Sequence, residues 1–336
     1  MKIRNWFGLI ISVLTLAWLV YTYDFNEAIR PLKEARYAYF LGLVLLLPAN
    51  FLLRAVRWKL LFSFPAPQKL GNVFKAMMVG YLFNNVMPAR AGELVRIYLL
   101  GKSENLSKST VLATVVVERT ADLLIVMALA AGVVMYYPFP SWLNRSGIVL
   151  SIATAVAIFI LVALKLFGTA MVKQLVQWVK FLPSAITQRM DSMGGYFISG
   201  ISALFSPSTA LKFSLYSAAI WILEICIVYL VALAFNIPAS VGGLLFVMLM
   251  IAIGTMVPSS PGYIGTYEFF GLSALAMLNI SGGLALSFVV AMHAVTFLGS
   301  CAIGLICLAA LKTTSSTRLS SELNKPDEPL GKFTKT

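Results

Sequence analysis

The chain is poor in histidine, in cysteine and in charge. His293 is the only histidine, which excludes a metal site built from several histidines. Cys226, Cys301 and Cys307 fall in apolar stretches without metal-motif spacing, as small packing residues do. Charged residues make up 12% of the chain, against about 25% in a soluble domain. We therefore expect no metal and no cofactor, and we do not expect a soluble protein.

Apolar residues dominate instead and account for 60% of the sequence. Several apolar runs approach or exceed the ~18 residues that cross a bilayer. The first run, about 6–23, follows Lys2 and Arg4 and shows no small-residue cleavage site after it, so we interpret it as an uncleaved helix. The sequence predicts an all-α, polytopic integral membrane protein.

The apolar pattern predicts about six spanning helices and two re-entrant helical hairpins. The spans lie at about 6–23, 37–53, 110–137, 147–168, 211–235 and 283–311. The apolar segments 73–87 and 242–257 are too short to span and end at Pro/Gly breaks. A second short helical stretch follows each break, at 92–100 and 265–277. Each hairpin would thus return to the side on which it entered.

The distribution of basic residues supports this topology. If the N-terminus is cytoplasmic, the outside pieces carry only these basic residues: Arg30, Lys33, Arg36 and Arg145. Arg90, Arg96 and Arg119 remain at membrane depth, and the other basic residues are cytoplasmic. The positive-inside rule therefore predicts that both termini are cytoplasmic. It also explains the net charge of +13 without a nucleic-acid partner.

The same layout contains an internal repeat, because a span, a hairpin and a span occur twice. The first hairpin opens from the cytoplasm and the second from outside, which predicts an inverted-topology repeat, as in many secondary transporters. The alternative is a coincidence among hydrophobic segments. We expect a transmembrane domain over 1–311 with halves at about 1–137 and 147–311, an amphipathic cytoplasmic segment at 169–208, and a disordered cytoplasmic tail at 312–336.

The break of the first hairpin carries charge at membrane depth, where each charged side chain costs about 2.5–3.5 kcal/mol on insertion scales. Pro88 and Gly92 bracket the turn, and the helix that starts near Gly92 would point its N-terminus at a cavity, which favours an anion. Arg90 lies in the break and can hold a phosphate through two hydrogen bonds. Glu93 and Arg96 can pair at i,i+3. Alternatively, Arg90 and Arg96 only neutralise internal acids.

The internal acids are Glu118 and Asp122, which lie at i,i+4 on one face of a span. Two like charges this close repel each other, so we expect a cation beside them. Arg119 can reach Asp122, and Arg90 or Arg96 can face Glu118. Alternatively, one acid is protonated, because burial disfavours a carboxylate.

The second break contains Pro261 and Gly262 in a loop rich in hydroxyl groups, and Glu268 follows early in the next helix. Glu224 and His293 lie in the two flanking spans. One interpretation is gating with a proton relay through Glu224, Glu268 and His293. The other is a helix-capping Glu268 and an interhelical hydrogen bond from His293.

Four motifs resemble the lysylphosphatidylglycerol synthase transmembrane region family over most of residues 5–311. They are the stretch 53–60, which contains Arg57, and the patterns Asn85-x-x-Pro88-x-Arg90-x-Gly92-Glu93, Glu118-Arg119-x-x-Asp122 and Pro261-Gly262-x-x-Gly265-x-x-Glu268. In multiple peptide resistance factor proteins, a similar region fused to a soluble aminoacyltransferase is thought to flip aminoacylated phosphatidylglycerol. We see no such domain here, so the resemblance implies lipid handling and not lysine transfer.

We therefore predict a flippase-like transporter in the cytoplasmic membrane of a bacterium or archaeon. Its cargo would be a phospholipid or a polyprenyl-phosphate-type lipid. Arg90 and Arg96 would hold the lipid phosphate, assisted by Asn85 and Arg119, while Glu93, Glu118 and Asp122 would tune or release it. Arg57 is either a lipid-headgroup contact or an ordinary interfacial anchor.

Three other functions stay open. A proton- or ion-coupled carrier of a small soluble anion would use the same cationic site in a closed, water-filled pocket. A membrane-embedded enzyme would need paired acids as acid and base, but we find no nucleophile beside a histidine base. A non-catalytic partner would serve a separate lipid-modifying enzyme, and a homodimer is compatible with every one of these functions.

Overall fold

The computed structural model describes residues 3–62, 68–87, 90–133, 135–137, 206–257 and 259–323, and scattered positions between 152 and 198. Within these ranges the regular structure is helical, without strands. The helices used below are α1 Ile3–Thr22, α2 Phe25–Glu34, α3 Ala38–Lys59, α4 Leu70–Val86, α5 Gly92–Ser103, α6 Lys108–Val133, α7 Pro207–Ala234, α8 Val241–Met256, α9 Thr266–Met277 and α10 Gly282–Leu323.

Three of the described helices are long and apolar enough to cross a membrane. They are Ala38–Lys59, Pro207–Ala234 and Gly282–Leu311. The helices Ile11–Thr22 and Val241–Met256 are apolar but shorter. The chain is therefore an all-helical membrane protein, as the sequence predicts. The expected span at 147–168 and the amphipathic segment at 169–208 lie outside the described residues, apart from scattered positions and the start of α7.

At each predicted hairpin two helices pack on each other, α4 on α5 and α8 on α9, and their re-entrant course in the membrane stays a prediction. Glycines permit this close approach. A Cβ atom on Gly92 would lie 1.8 Å from the carbonyl oxygen of Gly80, and one on Gly254 would lie 2.8 Å from the ring of Phe270. A 3₁₀ turn, Pro261–Tyr263, lies between α8 and α9.

The two sets of helices, α3–α6 and α7–α10, pack on each other reciprocally. α3 packs against α7, α4 packs against α10, and α8 packs against α6. If each helix of one set is replaced by its counterpart in the other, the contact of α4 with α10 becomes the contact of α8 with α6. The contact of α3 with α7 stays the same. Each hairpin is thus held by the long helix that ends the other set, and the breaks of both hairpins come together in the interior.

The last helix continues beyond the apolar segment, to Leu323. Residues 312–323, which the sequence analysis assigns to a disordered tail, thus continue this helix, and the disorder of the tail stays a prediction. No proline or glycine occurs between Leu311 and Leu323, so nothing in the sequence stops a helix that already extends from the core. The expected disorder of 324–336 lies outside the described residues.

Candidate functional site

The side chain of Arg57 lies in the interior of the protein. Its side chain is fully buried, with Nη1 2.7 Å from Oδ1 of Asp122 and Nη2 3.3 Å from Oε1 of Glu118. Nη1 also donates to Oγ of Ser217 at 3.2 Å, and the ring of Phe213 lies 5.1 Å from the guanidinium. Arg57 therefore links α3 to α6 and α7, and its role as a lipid-headgroup contact or as an interfacial anchor stays a prediction.

Arg96 is also buried, and its guanidinium lies beside two carboxylates. Its Nε lies 2.6 Å from Oε2 of Glu93, and its Nη1 lies 3.0 Å from Oε2 of Glu118. The indole ring of Trp58 lies 4.7 Å from the guanidinium. The predicted pairing of Arg96 with Glu93 and Glu118 is confirmed. The pairing agrees with the interpretation that Arg96 neutralises internal acids, and its role as a phosphate ligand stays a prediction.

Arg119 is the last member of a group of ion pairs, and its side chain is partly exposed. We call this group the ion cluster; its members are Arg57, Arg96, Arg119, Glu93, Glu118 and Asp122. Nη2 of Arg119 lies 3.4 Å from Oε1 of Glu118 and 3.7 Å from Oδ2 of Asp122, and its Nε lies 4.0 Å from Oε1 of Glu93. Its side chain keeps 36% exposure, whereas that of Glu118 keeps none. The expected repulsion between Glu118 and Asp122 is thus relieved by cations, and three arginines balance three carboxylates in the cluster.

Arg90 differs from these arginines because it has no acidic partner. Within the part of the chain that the structure describes, no carboxylate oxygen lies within 4.0 Å of its guanidinium. The guanidinium donates a hydrogen bond to the carbonyl oxygen of Thr255 and lies 5.7 Å from the centre of the Tyr263 ring. Its backbone φ of 53° is uncommon outside glycine. Among the described residues, the positive charge of Arg90 therefore has no carboxylate partner, and it lies where the two hairpins meet.

A cavity of about 310 Å³ lies beside Arg90. Its charged or ionisable lining includes Arg54, Arg90, Glu93, Arg119, Glu224 and His293. Apolar side chains such as Phe51 and Trp221 complete its walls. The cavity thus joins residues from both halves of the chain, whereas Arg57, Arg96, Glu118 and Asp122 lie behind its wall.

Arg54 is a site residue that the sequence analysis missed. Its Nη2 lies 2.7 Å from Oε1 of Glu224, and its Nε donates to Oδ1 of Asn50 at 2.8 Å. Asn50 in turn donates to the carbonyl oxygen of Ile220 at 3.2 Å. One face of α3 carries polar residues at helical spacing, namely Asn50, Arg54 and Arg57. This polar stripe could have indicated Arg54 as a site residue. Glu224 therefore pairs with Arg54, and no hydrogen bond among the described residues joins it to Glu268 or His293.

The second break is held by His293 and Glu268. Nδ1 of His293 lies 2.5 Å from Oε1 of Glu268, and Nε2 lies 2.8 Å from the carbonyl oxygen of Gly262. The other carboxylate oxygen of Glu268 accepts the backbone N–H of Gly265 at 2.7 Å. The ring of Tyr267 stacks on the imidazole with a centroid separation of 4.2 Å. Glu268 therefore caps α9 and also pairs with His293 across the two helices.

The loop of this break fits tightly against its neighbours. Pro261 begins the 3₁₀ turn, and Gly262 has a φ of 69°. A Cβ atom on Gly262 would lie 2.7 Å from the ring of Phe297. The backbone N–H of Ser260 donates to Oγ of Ser12 on α1 at 2.8 Å. The break is thus seated between α1 and α10.

In the first break, Asn85 is close to α10. Its side-chain amide donates to Oγ of Ser300 at 2.8 Å, and Asn85 lines the cavity. Gly92 begins α5, as predicted, and it is buried. Pro88 lies outside the described residues.

A second, apolar groove of about 650 Å³ lies between α6, α7 and α8. Its lining includes Leu124, Phe213 and Ile222. Trp221 and Met248 belong to the walls of both the groove and the cavity, so the two spaces are neighbours. Among the residues that the structure describes, no three His, Cys, Asp or Glu side chains are grouped as a metal site requires.

The chain matches a known protein family over most of its length. The family model described as "Lysylphosphatidylglycerol synthase TM region" matches residues 5–304. The chain belongs to this family. The match includes both hairpins, the ion cluster and every residue that lines the cavity. No solved structure matches the chain.

Relatives in the lysylphosphatidylglycerol synthase TM region family include archaeal membrane proteins. A UPF0104 membrane protein of Methanothermobacter thermautotrophicus is 24% identical over 341 residues, which cover 96% of this chain and 100% of that protein. Glycosyltransferase AglD of Haloferax volcanii is 25% identical over 319 residues, which cover 86% of this chain and 51% of that protein. A UPF0104 membrane protein of Methanocaldococcus jannaschii is 26% identical over 197 residues, 59% of this chain and 80% of that protein.

Proposed function

We propose that the protein moves a phosphate-bearing lipid between the leaflets of the cytoplasmic membrane. The observation that carries the proposal is Arg90, a cation without a described carboxylate partner at the wall of an interior cavity. A guanidinium in a membrane protein is costly unless an anion accompanies it. A phosphate offers two oxygens in the geometry that suits a guanidinium. An anionic headgroup that enters the cavity would therefore complete the charge balance.

The contacts divide the arginines into two roles. Arg90 is the primary phosphate contact, and Arg119 and Arg54 are secondary contacts, because all three line the cavity. Arg57 and Arg96 hold the helices around the site through buried ion pairs. Asn85, which also lines the cavity, would add a hydrogen bond to the headgroup.

The apolar groove favours a lipid over a soluble anion. A lipid needs a polar site for its headgroup beside an apolar path for its chains. The cavity and the groove provide these two environments and share Trp221 and Met248 as walls. A carrier for a small anion has no use for an apolar groove of about 650 Å³ next to its binding site.

The reciprocal packing of the helices supports alternating access through an inverted repeat. Each hairpin packs against the last long helix of the other set, so a movement of one hairpin changes the contacts of both sets. The breaks at Gly92 and at Pro261 and Gly262 would serve as the hinges. In secondary transporters with inverted repeats, substrates bind near the midplane at such broken helices.

The proposal can be tested with purified protein in vesicles of phosphatidylcholine and phosphatidylglycerol. The probes are fluorescently labelled phosphatidylglycerol and a labelled polyprenyl phosphate, and the measurement is their movement between leaflets. We expect the wild type to move at least one probe, Arg90→Lys to retain part of the rate, and Arg90→Ala to lose it. The control is Arg30→Ala, which removes an exposed arginine paired with Glu34 on α2.

Folding is measured in the same preparations by size-exclusion profile and thermal stability. Native mass spectrometry of the wild type and of Arg90→Ala identifies the lipid that copurifies with each protein. We expect a bound phosphate-bearing lipid in the wild type and little of it in the variant. Unchanged lipid movement in a folded Arg90→Ala protein would remove Arg90 from the mechanism and refute the proposal.

A proton-coupled carrier of a small soluble anion is the second candidate. The observation that favours it is the pair of His293 and Glu268, whose histidine lines the cavity. Uptake of radiolabelled inorganic phosphate into the same vesicles distinguishes the candidates. Saturable uptake that requires Arg90, without movement of either lipid probe, would establish the carrier.

A membrane partner of a lipid-modifying enzyme is the third candidate. It is favoured by the alignment with glycosyltransferase AglD, of which this chain covers about half the length. Such a partner would bind lipid through Arg90 and would move neither lipid nor phosphate. Lipid copurification without transport in the vesicle assays is the result that would support it.

A further inference from the structure

The two ring nitrogens of His293 both face hydrogen-bond acceptors. Nε2 lies 2.8 Å from the carbonyl oxygen of Gly262, and a carbonyl oxygen only accepts. The contact is a hydrogen bond when Nε2 carries the hydrogen. Nδ1 lies 2.5 Å from Oε1 of Glu268, whose other oxygen already accepts the backbone N–H of Gly265.

The number of protons on the pair decides whether both contacts are hydrogen bonds. A neutral imidazole has one N–H, and Nε2 uses it on Gly262. If Glu268 were ionised beside that neutral ring, two lone pairs would face each other at 2.5 Å. A second proton between Nδ1 and Oε1, on either the imidazole or the carboxyl group, makes both contacts hydrogen bonds. With this proton the pair holds one proton more than a neutral histidine and an ionised glutamate.

We propose that His293 and Glu268 bind one exchangeable proton, and that this proton fastens the second break to α10 as the coupling site of transport. The coupling part rests on the proposed lipid movement. The proton-binding part rests on the contacts of His293 and Glu268 alone.

Release of the proton breaks one of the contacts. The proton passes from the Nδ1–Oε1 hydrogen bond to water in the cavity, which His293 lines. A neutral imidazole and a carboxylate remain, and the single N–H can serve either Glu268 or Gly262 but not both. These two partners lie on α9 and in the turn before it, so the second hairpin loses one of its two hydrogen bonds to His293 on α10.

Other titratable groups lie near His293, but we do not assign the exchangeable proton to them. They are Tyr81 on α4, Glu224 on α7, Tyr263 in the turn, Tyr267 on α9, and the cavity arginines Arg54, Arg90 and Arg119. α2 contributes Glu27, which lies beside Gly282 and Gly283 at the far start of α10. Tyrosine and arginine exchange protons only well above neutral pH. Glu224 is held by Arg54, which leaves His293 and Glu268 as the pair whose contacts call for an additional proton.

The turn connects this proton to the phosphate site. Tyr263 follows Gly262 directly, and its ring lies 5.7 Å from the guanidinium of Arg90. Gly262 also approaches the backbone carbonyl of Asn85 in the first break, which a Cβ atom would meet at 3.5 Å. A turn released from α10 would therefore change the surroundings of Arg90, which couples proton release to anion release.

The single histidine makes the proton directly observable. Full-length protein labelled with ¹⁵N-histidine gives nitrogen NMR signals from His293 alone, in vesicles of phosphatidylcholine and phosphatidylglycerol. At pH 7 we expect Nε2 to carry a hydrogen and Nδ1 to be protonated or to share its proton. We expect a single titration step as the pH is raised. An Nδ1 that is unprotonated, and free of a shared proton, from about pH 5 to about pH 8 would overturn the proposal.

Glu268→Gln separates proton binding from packing. The glutamine amide can donate to Nδ1, so the ring should remain neutral, with a hydrogen on Nε2 and without the titration step. The matched control is Glu224→Gln, which removes a carboxylate from the same cavity but not from His293. The control should leave the two nitrogen signals of His293 as in the wild type. Identical titration in Glu268→Gln and the wild type would contradict the proposal.

The coupling is measured with the lipid probe that the wild type moves. A pH gradient should change the rate of lipid movement by about tenfold in the wild type, and by less than about twofold in Glu268→Gln. If the pH gradient does not change the rate of lipid movement in the wild type, and His293 titrates as expected, the proposed coupling is refuted. The proposal of lipid transport would still stand. Absence of lipid movement with a normal titration would instead refute the proposed function and leave the proton site.

Discussion

Arg90 joins the two hairpins by donating a hydrogen bond to the carbonyl oxygen of Thr255, one residue before the end of α8. A backbone carbonyl is a dipole and carries no net charge, so it orients the guanidinium without neutralising it. The cation–π contact with Tyr263 adds about 0.5–2 kcal/mol and likewise leaves the charge in place. Both contacts come from the second hairpin. The positive charge of the first hairpin is therefore positioned by the second, which makes the site depend on both halves of the chain.

Replacement of Arg57 by glutamine should destabilise the protein and should not act by weakening lipid binding. The change leaves Glu118 and Asp122 short of a buried cation, at a cost of about 3–5 kcal/mol. We expect low yield and a large loss of thermal stability in detergent. Arg119→Gln is the matched comparison, because it removes longer contacts from a partly exposed arginine of the same cluster. Normal stability in Arg57→Gln combined with lost lipid movement would instead support a headgroup role for Arg57.

Gly92 should be one of the least replaceable residues of the first hairpin. In Gly92→Ala the new Cβ atom would lie 1.8 Å from the carbonyl oxygen of Gly80, which is backbone and cannot move aside. We expect α4 and α5 to separate and the cavity wall to be lost, with a strong fall in folded protein. Gly71→Ala in the same hairpin is the control, because nothing lies within 4 Å of its Cβ position. Equal thermal stability of the two variants would contradict the close approach of the helices.

Local chemistry made much of the fold and part of the site predictable from sequence. The lengths of the apolar runs and the Pro/Gly breaks predict two helical hairpins, and both are present. The pairs at i,i+3 are predictable as well, because helix geometry alone brings Glu93 to Arg96 and Arg119 to Asp122.

The identity of the uncompensated arginine was not predictable, because it depends on contacts between distant parts of the chain. Arg57 meets Glu118 over a separation of 61 residues, and Arg54 meets Glu224 over 170. Sequence spacing does not show which arginine takes which acid. Arg96 was therefore grouped with Arg90 as a phosphate ligand, although of these two only Arg90 lacks a carboxylate partner among the described residues.

Filling the apolar groove should slow the movement of a lipid without damaging the phosphate site. Ala218 lines the groove, and Ala218→Phe would place a ring where we propose that the lipid chain lies. We expect a severalfold slower movement of labelled phosphatidylglycerol in vesicles. The control is Ala302→Phe, at an exposed position on α10 and outside the groove. If the protein instead carries a small anion, phosphate uptake should be the same in both variants.

Arg54 and Glu224 should have coupled effects on lipid retention, because the loss of either side chain changes the net charge of the cavity. Glu224→Gln would free a second guanidinium for an anionic lipid and should tighten retention of the copurified phosphate-bearing lipid while slowing its release. Arg54→Gln would leave Glu224 unpaired in the cavity and should weaken lipid retention. The double variant removes one charge of each sign, so it should lie closer to the wild type than either single variant. Native mass spectrometry of the three proteins measures lipid retention, and additive effects would show that the two residues act independently.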